Sequence, residues 1–302
     1  MKVRHVDGGA ANSGKAFTMG NQLEFAGSGE LDNGLTVSLS FVLDQNDDAT
    51  AADGTDKTDN DGSPFDSHSV SISSDALGTL TMHGEGGSSA QAAMDTTAAG
   101  DLWDNGYGIS TTTALPETPK ASAGASGMLF YTLPSMVDDL TVTASYTPQG
   151  TNADSSTAFG LSYAGVEGLS LNYAVGEDNS TDAASVDVTT MKASYTYGSF
   201  AVGYSDTEYD GESTTSTVDQ EVKSYNVSYT VSDNISVAYG TEEISQPNVA
   251  ASQDIDVDAI TASYTTGGMT ISAMMGNADN TGHSTAVLED RSMWHLVASF
   301  AF

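Results

Sequence analysis

Residues 290–302 read DRSMWHLVASFAF. Counting back in steps of two from Phe302 to Trp294 gives an apolar set. The alternate set, counted back from Ala301, includes His295 and Arg291. A period of two predicts a β-strand with one apolar face and one more polar face. The same alternation recurs along the whole chain and predicts a first strand over 2–7 and a second strand over 16–31. The closing stretch therefore sets the expectation for the fold.

Two kinds of connection interrupt the alternation. Seven are tight turns, of which Asp32-Asn33-Gly34 is the plainest because Asn-Gly tolerates positive φ. Eight are longer loops, in strict alternation with the turns, and about sixteen strands separate them. Short turns on one rim and long loops on the other are typical of an outer-membrane barrel, and an even strand number lets the first and last strands pair. We therefore predict an all-β, 16-stranded antiparallel transmembrane β-barrel that forms a single domain over residues 1–302.

Composition limits the function classes. The formal charge of −33, from 41 acidic and 8 basic residues, argues against nucleic-acid binding. The sequence contains no run of 18 apolar residues, so it predicts no membrane-spanning helix. The mean hydropathy of −0.22 does not exclude membrane-spanning strands, because their apolar and polar residues alternate and cancel in the average. No G-x-S-x-G, P-loop or H-E-x-x-H motif occurs, so we predict that the protein is not an enzyme. Because residues 1–5 lack the apolar segment of a signal peptide, we expect a mature exported chain or one whose start is missing.

Periodicity alone leaves open which face points inward, since a β-sandwich would enclose the apolar set. Two features favour an outward apolar face. Charged residues are scarce within the strands and abundant in the longer loops. Tyrosines recur near strand ends, where amphipathic rings favour the membrane–water boundary. These tyrosines are Tyr146, Tyr163, Tyr197, Tyr229 and Tyr264.

Three stretches carry a resemblance to a known family: FAGSGELDNGLTVSLSF (25–41), HSVSISSDALGTLTMHGEGG (68–87) and WHLVASFAF (294–302). They resemble the general porins of Gram-negative bacteria, especially the alphaproteobacterial type. The resemblance implies a homotrimer in the cell outer membrane, in contact with membrane lipid and lipopolysaccharide. Each barrel would be a channel for passive diffusion of ions and small hydrophilic solutes. It also implies that the long third loop, about 86–127, folds inward, and that Phe300 and Phe302 belong to a membrane insertion signal.

Porins of this type set acids of the third loop against bases on the opposing wall. The candidate constriction acids are Asp95, Asp101, Asp104 and Glu117. The candidate wall bases are Lys2, Arg4, Lys192, Arg291 and His295. The family has a denser arginine cluster, so this departure favours a weakly guarded, cation-preferring pore. The alternatives are ordinary solvation of each loop acid, an ion pair for Arg291 and a solvated lumen base at Lys192.

Two aromatic residues lie beside the loop acids. Trp103 and Tyr107 either form a stacking platform for a solute or pack the loop onto the wall. The first alternative belongs to a substrate-selective porin for sugars or small cationic nutrients. A secreted all-β adhesin is a further alternative.

An acidic loop offers the one candidate metal site. Asp56, Thr58 and Asn60 place oxygen atoms at alternate positions, as Ca²⁺ ligands often are. The spacing departs from an EF-hand, and the alternative is a hydrated loop. We expect no cofactor other than Ca²⁺ or Mg²⁺ bound to the acidic loops.

Overall fold

The computed structural model describes residues 1–8, 14–18, 23–43, 65–105, 107, 109, 118–124, 126–148, 154–179, 185–211, 219–250, 252–285 and 290–301. Within these ranges the chain forms β-strands and one turn of 3₁₀ helix (Leu102–Asp104). The strand segments are β1 (Lys2–Asp7), β2 (Gly14–Thr18), β3 (Leu23–Glu30), β4 (Thr36–Leu43), β5 (Phe65–Ser74), β6 (Gly78–Glu85), β7 (Met128–Thr132), β8 (Leu140–Thr147), β9 (Ser156–Val166), β10 (Leu169–Asp178), β11 (Val186–Tyr197), β12 (Phe200–Gly211), β13 (Gln220–Ser232), β14 (Ile235–Ser245), β15 (Ile255–Thr266), β16 (Met269–Asp279) and β17 (Arg291–Phe300). No helix in the described part of the chain is long and apolar enough to cross a membrane.

The strands form one antiparallel sheet in which sequence neighbours pair. β1 pairs with β2 and also with β17, where Lys2 lies opposite Val297 and Asp7 opposite Ser292. The first and last strands therefore meet, as predicted. β2 and β3 are the described parts of the single strand predicted over 16–31, and counted as one they bring the number to sixteen. The predicted all-β, 16-stranded antiparallel barrel is confirmed.

Short turns close one rim of the sheet. In the turn between β3 and β4, Gly34 has φ +80° and its N–H donates to Leu31 O at 2.9 Å, while Asn33 Oδ1 accepts from Leu35 N at 3.2 Å. The left-handed φ that Asn-Gly tolerates thus reverses the chain where the sequence predicts a turn.

The two faces of the sheet differ as the alternation predicts. On the outer face of β13, Tyr225 and Val227 are 54% and 51% exposed. Ser224 on the inner face of the same strand faces the loop and is fully buried. The apolar set of the other strands is exposed in the same way, while the face rich in hydroxyl groups contacts the chain's own long loop. A β-sandwich would seal the apolar set between two sheets, so the structure excludes it. The apolar face points to lipid and the hydroxyl-rich face points into the barrel.

Candidate functional site: a loop along the inside of the barrel

The long third loop lies inside the barrel. Its backbone N–H groups donate to serine side chains on the inner face: Ala90 N to Ser145 Oγ on β8 at 2.9 Å and Ala98 N to Ser205 Oγ on β12 at 2.8 Å. Ala99 N donates to Ser224 Oγ on β13 at 3.0 Å. Successive loop residues thus reach successive strands, and the predicted inward fold of this loop is confirmed.

One buried carboxylate holds the middle of the loop. Glu242 on β14 is fully buried, and its Oε1 accepts hydrogen bonds from Leu102 N at 2.9 Å and from Thr97 Oγ1. Its Oε2 accepts from Trp103 N at 2.9 Å. The N–H groups at the start of the 3₁₀ turn have no partner within the turn, so the carboxyl oxygens of Glu242 stabilise them by accepting their hydrogen bonds. Glu242 therefore fixes the loop where Asp101 and Asp104 lie.

The returning limb of the loop is held by two glutamines. Gln220 on β13 accepts from Lys120 N at 2.9 Å through Oε1 and donates to Thr118 O at 3.1 Å through Nε2. Gln91, itself buried in the outgoing limb, accepts from Ser122 N at 2.7 Å. Both limbs are thereby tied to the wall and to each other.

Tyr107 packs the loop against the wall. Its side chain is fully buried in an apolar cluster that includes Ile244, Val257 and Met274, and its backbone O accepts from Arg291 Nη1. Burial leaves no ring face for a solute, so the prediction of solute stacking at Tyr107 is wrong and the packing alternative holds. Trp103 borders the same cluster but stays partly exposed, so stacking at Trp103 stays a prediction.

The described loop acids lie within residues 95–104. Asp101 has a left-handed backbone (φ 55°), and its Oδ1 accepts from Thr97 N at 2.9 Å. Asp104 is exposed at the end of the 3₁₀ turn. Burial, with the charge of Asp101 second, raises the pKa of Asp95 to about 7. Glu117 lies outside the described residues.

The predicted wall bases fall into two groups. Lys192 Nζ donates to Thr96 O at 2.6 Å, and Arg291 donates to Tyr107 O, so both bind the loop backbone. The other three meet at the junction of β1 and β17, where Arg4 lies opposite His295 and both interact with the charge of Lys2. The charge of Asp104 also interacts with Lys2, which brings one loop acid and one wall base together.

Two arcs of the inner wall differ in what their side chains contact. In the covered arc, the inner face of β8–β17, side chains contact the loop, and the described hydrogen bonds of residues 90–103 to the wall all go to β8–β14. In the open arc, the inner face of β3–β6, the side chains bond to one another. Ser71 Oγ lies 2.8 Å from Thr81 Oγ1, and Ser40 Oγ donates to Glu24 Oε1 at 3.2 Å. A recess of about 370 Å³ lies along this arc.

Other predicted residues lie away from the loop or outside the description. Phe300 is 55% exposed on the outer face of β17, and Phe302 lies outside the described residues. The candidate metal ligands Asp56, Thr58 and Asn60 also lie outside them, so a bound Ca²⁺ or Mg²⁺ stays a prediction. Elsewhere Asp206, Glu208 and Glu221 bring carboxylate oxygens within 4.8 Å of one another, but Lys223 Nζ already lies 2.6 Å from Glu221 Oε1.

Sequence reasoning missed the residues that hold the loop. Glu242 is an acid at an inward strand position whose nearest inward neighbours on β14, Gly240 and Ile244, are uncharged. A single charge in such a setting is a usable signal, because buried acids need partners. Gln220 and Gln91 have no comparable signal, because amide side chains are common in loops and at strand ends.

A transmembrane barrel narrowed by its own loop defines a channel-forming outer-membrane protein. The chain belongs to the Gram-negative porin family, whose model matches residues 1–244. Similar solved structures include an anion-selective porin from Comamonas acidovorans, 15% identical with a TM-score of 0.65, and a variant of the Rh. blastica porin, 14% identical with a TM-score of 0.67. Both alignments cover 100% of this chain and 96% of the other. No curated protein matches the chain.

Family and fold together place the protein in the outer membrane as a channel for passive diffusion and not as an enzyme. The placement in this family excludes the alternative of a secreted adhesin.

Proposed function

We propose that the protein is a homotrimeric diffusion pore that prefers cations and passes ions and small hydrophilic solutes. The supporting observation is the placement of charge around the loop. Asp101 and Asp104 lie on the loop, and Glu24 lies on the open arc, while Lys192 and Arg291 bind loop carbonyl groups. Negative charge in a narrow, low-dielectric passage raises the local concentration of cations.

The fold by itself does not set the sign of the selectivity, because the similar Comamonas acidovorans porin is anion-selective. The sign must come from the charged side chains near the loop. Lys2 and Arg4 oppose the loop acids, which makes the expected preference modest.

Reversal potentials across a salt gradient in planar bilayers test the proposal. We expect wild-type channels, appearing in steps of three, to favour potassium over chloride. The double variant Asp101→Asn/Asp104→Asn should lower that ratio by roughly 2–5-fold, because it removes two charges from the passage. Asp233→Asn, at a tight turn far from the loop in sequence, is the control and should leave the ratio unchanged. A wild-type preference for chloride would contradict the proposal.

A second candidate function is favoured by the open arc. Its recess is lined by hydroxyl groups and one carboxylate: Ser28, Ser38, Ser40, Ser69, Ser71 and Glu24. Hydroxyl groups and a carboxylate suit sugars or small cationic nutrients, and Trp103 supplies a partly exposed ring on the loop. Block of the current by such a solute, lost in Trp103→Ala, would favour this candidate over general diffusion.

The outer surface supports the trimer. Outward positions near the loop-side ends of β12–β16 carry acids, as Asp206 does in alternation with Tyr204 and Val202. Among the described outward positions of β3–β8, the acid is Glu85, which lies 3.9 Å from the outward His68, and the run Val37, Leu39, Phe41 on β4 is uncharged. Because strongly acidic copies repel one another, subunit contact is favoured on β3–β8. The acidic outer surface is left for membrane lipid and for lipopolysaccharide, whose anionic groups would bind there through bridging Ca²⁺ or Mg²⁺.

Two matched substitutions test the subunit contact. Leu39 and Val202 are 46% and 48% exposed on the outer face, on opposite sectors of the barrel. Leu39→Glu should convert the unboiled trimer band to a folded monomer, while Val202→Glu should keep the trimer. Loss of the trimer in Val202→Glu alone would contradict the assignment. Lipopolysaccharide that copurifies with wild type should be retained by the folded Leu39→Glu monomer.

A further inference from the structure

Five inward-facing glycines lie beneath the loop, on β9, β10, β12, β14 and β16. A Cβ atom on any of them would press on the loop or a side chain of it. It would lie 2.7 Å from Met94 Cε at Gly160, 2.6 Å from Ser122 Oγ at Gly176, 3.3 Å from Ala98 Cβ at Gly203 and 2.7 Å from Ala99 Cβ at Gly240, and at Gly276 it would overlap the Tyr107 hydroxyl. None of the five has the left-handed φ that requires glycine. The approach of the loop therefore explains why they lack side chains.

Glycines elsewhere in the barrel do not share this feature. Gly27 and Gly29 in β3 lie opposite Leu39 and Val37 and therefore face outward, where a Cβ would meet nothing within 4 Å. The five glycines of the covered arc thus lack side chains where a strand faces the loop.

We propose that these glycines, the glycine seat, set the depth at which the loop lies and thereby the width of the pore. The inference deepens the proposed function, because it assumes that solutes pass between the loop and the open arc. It makes Gly240 and its counterparts positioning residues for size selection, although none of them contacts a solute.

At Gly240 the loop leaves no room for a side chain on the wall. A methyl group there would lie 2.7 Å from Ala99 Cβ, whereas carbon atoms in ordinary contact are about 3.5–4.0 Å apart. The wall cannot yield easily, because Gly240 pairs with Asn226 on one side and Ala259 on the other. The loop at Ala99 is held there by one hydrogen bond to Ser224 Oγ. It should move by about 1 Å toward the open arc.

Single-channel conductance and swelling of liposomes in sugars of increasing size test the inference. Gly240→Ala should lower the conductance by about 10–30%, and should slow the entry of solutes near the size limit by at least ~2-fold, because such solutes feel pore width most. Ala99→Gly in the same chain removes the methyl group that makes the closest contact. Leu102 Cδ1, at 3.2 Å from the added Cβ, is the end of a flexible side chain, so Ala99→Gly/Gly240→Ala should return both measurements close to wild type. Gly27→Ala, which adds a methyl group to a strand glycine on the outer face, is the control, and it should change neither.

An unchanged or larger conductance in Gly240→Ala would overturn the inference, and so would a fall that the double variant does not reverse. If Gly240→Ala does not assemble, Gly203→Ala replaces it, with a smaller fall expected because its Cβ would lie 3.3 Å from Ala98 Cβ. Wild-type protein that forms no channels would instead contradict the proposed function. If the wild type forms channels and neither alanine variant changes the conductance or the entry of solutes, the glycine seat alone is overturned.

Discussion

Serines line both the covered arc and the open arc of the inner wall, but they have different roles in the two arcs. On the covered arc, Ser205 and Ser224 are 2% and 0% exposed, because each accepts a hydrogen bond from a loop amide. On the open arc, Ser71 stays partly exposed and bonds with Thr81 on the next strand. The path of the loop, rather than the residue type, decides whether an inward serine holds structure or faces the solute.

The same contrast separates two glutamates. Glu242 on the covered arc is fully buried and accepts from three loop donors, so it acts on the pore only by positioning the loop. Glu24 on the open arc is exposed and accepts from Ser40, so we expect its charge to act on solutes directly. One acid sets where the constriction lies, and the other contributes to what passes it.

The largest expected effect follows from removing the buried carboxylate. Glu242→Ala leaves Thr97 Oγ1, Leu102 N and Trp103 N without an acceptor, and each buried unsatisfied donor costs about 1–3 kcal/mol. The middle of the loop should detach, so the open-channel current in bilayer recordings should fluctuate among sublevels instead of holding one level.

Glu24→Ala is the control and should keep a steady current, since the loop does not depend on Glu24. Glu242→Gln should give an intermediate record, because its amide keeps one oxygen acceptor. A current in Glu242→Ala that is as steady as that of the wild type would contradict the different roles of the two acids.

A smaller effect separates two serines. Ser224→Ala leaves the N–H of Ala99 without its acceptor, which should lower the free energy of unfolding by about 1–3 kcal/mol. Ser71→Ala loses one hydroxyl–hydroxyl bond beside water and should lower it by at most about 0.5 kcal/mol. Urea unfolding in lipid vesicles compares them, and equal losses would show that the loop does not depend on the covered serines.

The smallest effect concerns pH. Because burial and Asp101 raise the pKa of Asp95 to about 7, Asp95 is mostly neutral at pH 6 and mostly ionised at pH 8. The loop gains negative charge as pH rises, so the cation preference should increase by about 1.5–2-fold over this range. Asp95→Asn should flatten the pH profile of the reversal potential while Asp233→Asn keeps it. A wild-type preference that is constant from pH 6 to 8 would contradict the assignment.

Most of the fold could be predicted because it depends on local patterns. The period of two, with Asn33-Gly34 in a turn, predicted strands close to those observed. β1 has the predicted bounds Lys2–Asp7, and the closing strand predicted over 290–302 is Arg291–Phe300. These signals need no knowledge of distant contacts, since the pleat and the turn chemistry are set by adjacent residues.

The site was less predictable because it depends on where an irregular loop runs. Tyr107 has no periodic neighbours that would reveal its burial, so stacking and packing looked alike. Lys192 was correctly placed on the inner face, but only the structure shows that its ammonium binds Thr96 O of the loop. Gly240 carried a signal, because a glycine inside a strand often marks close approach of another backbone.

The most direct test of the account is the accessibility of single cysteines introduced into a chain that contains none. Ser71→Cys on the open arc and Ser224→Cys on the covered arc would be treated with a charged thiol reagent during current recording. We expect rapid reaction and partial block at position 71, and protection at position 224 for as long as the loop stays in place. Equal reaction rates at the two positions, or faster reaction at 224, would contradict a loop that covers one arc and leaves the other to the solute.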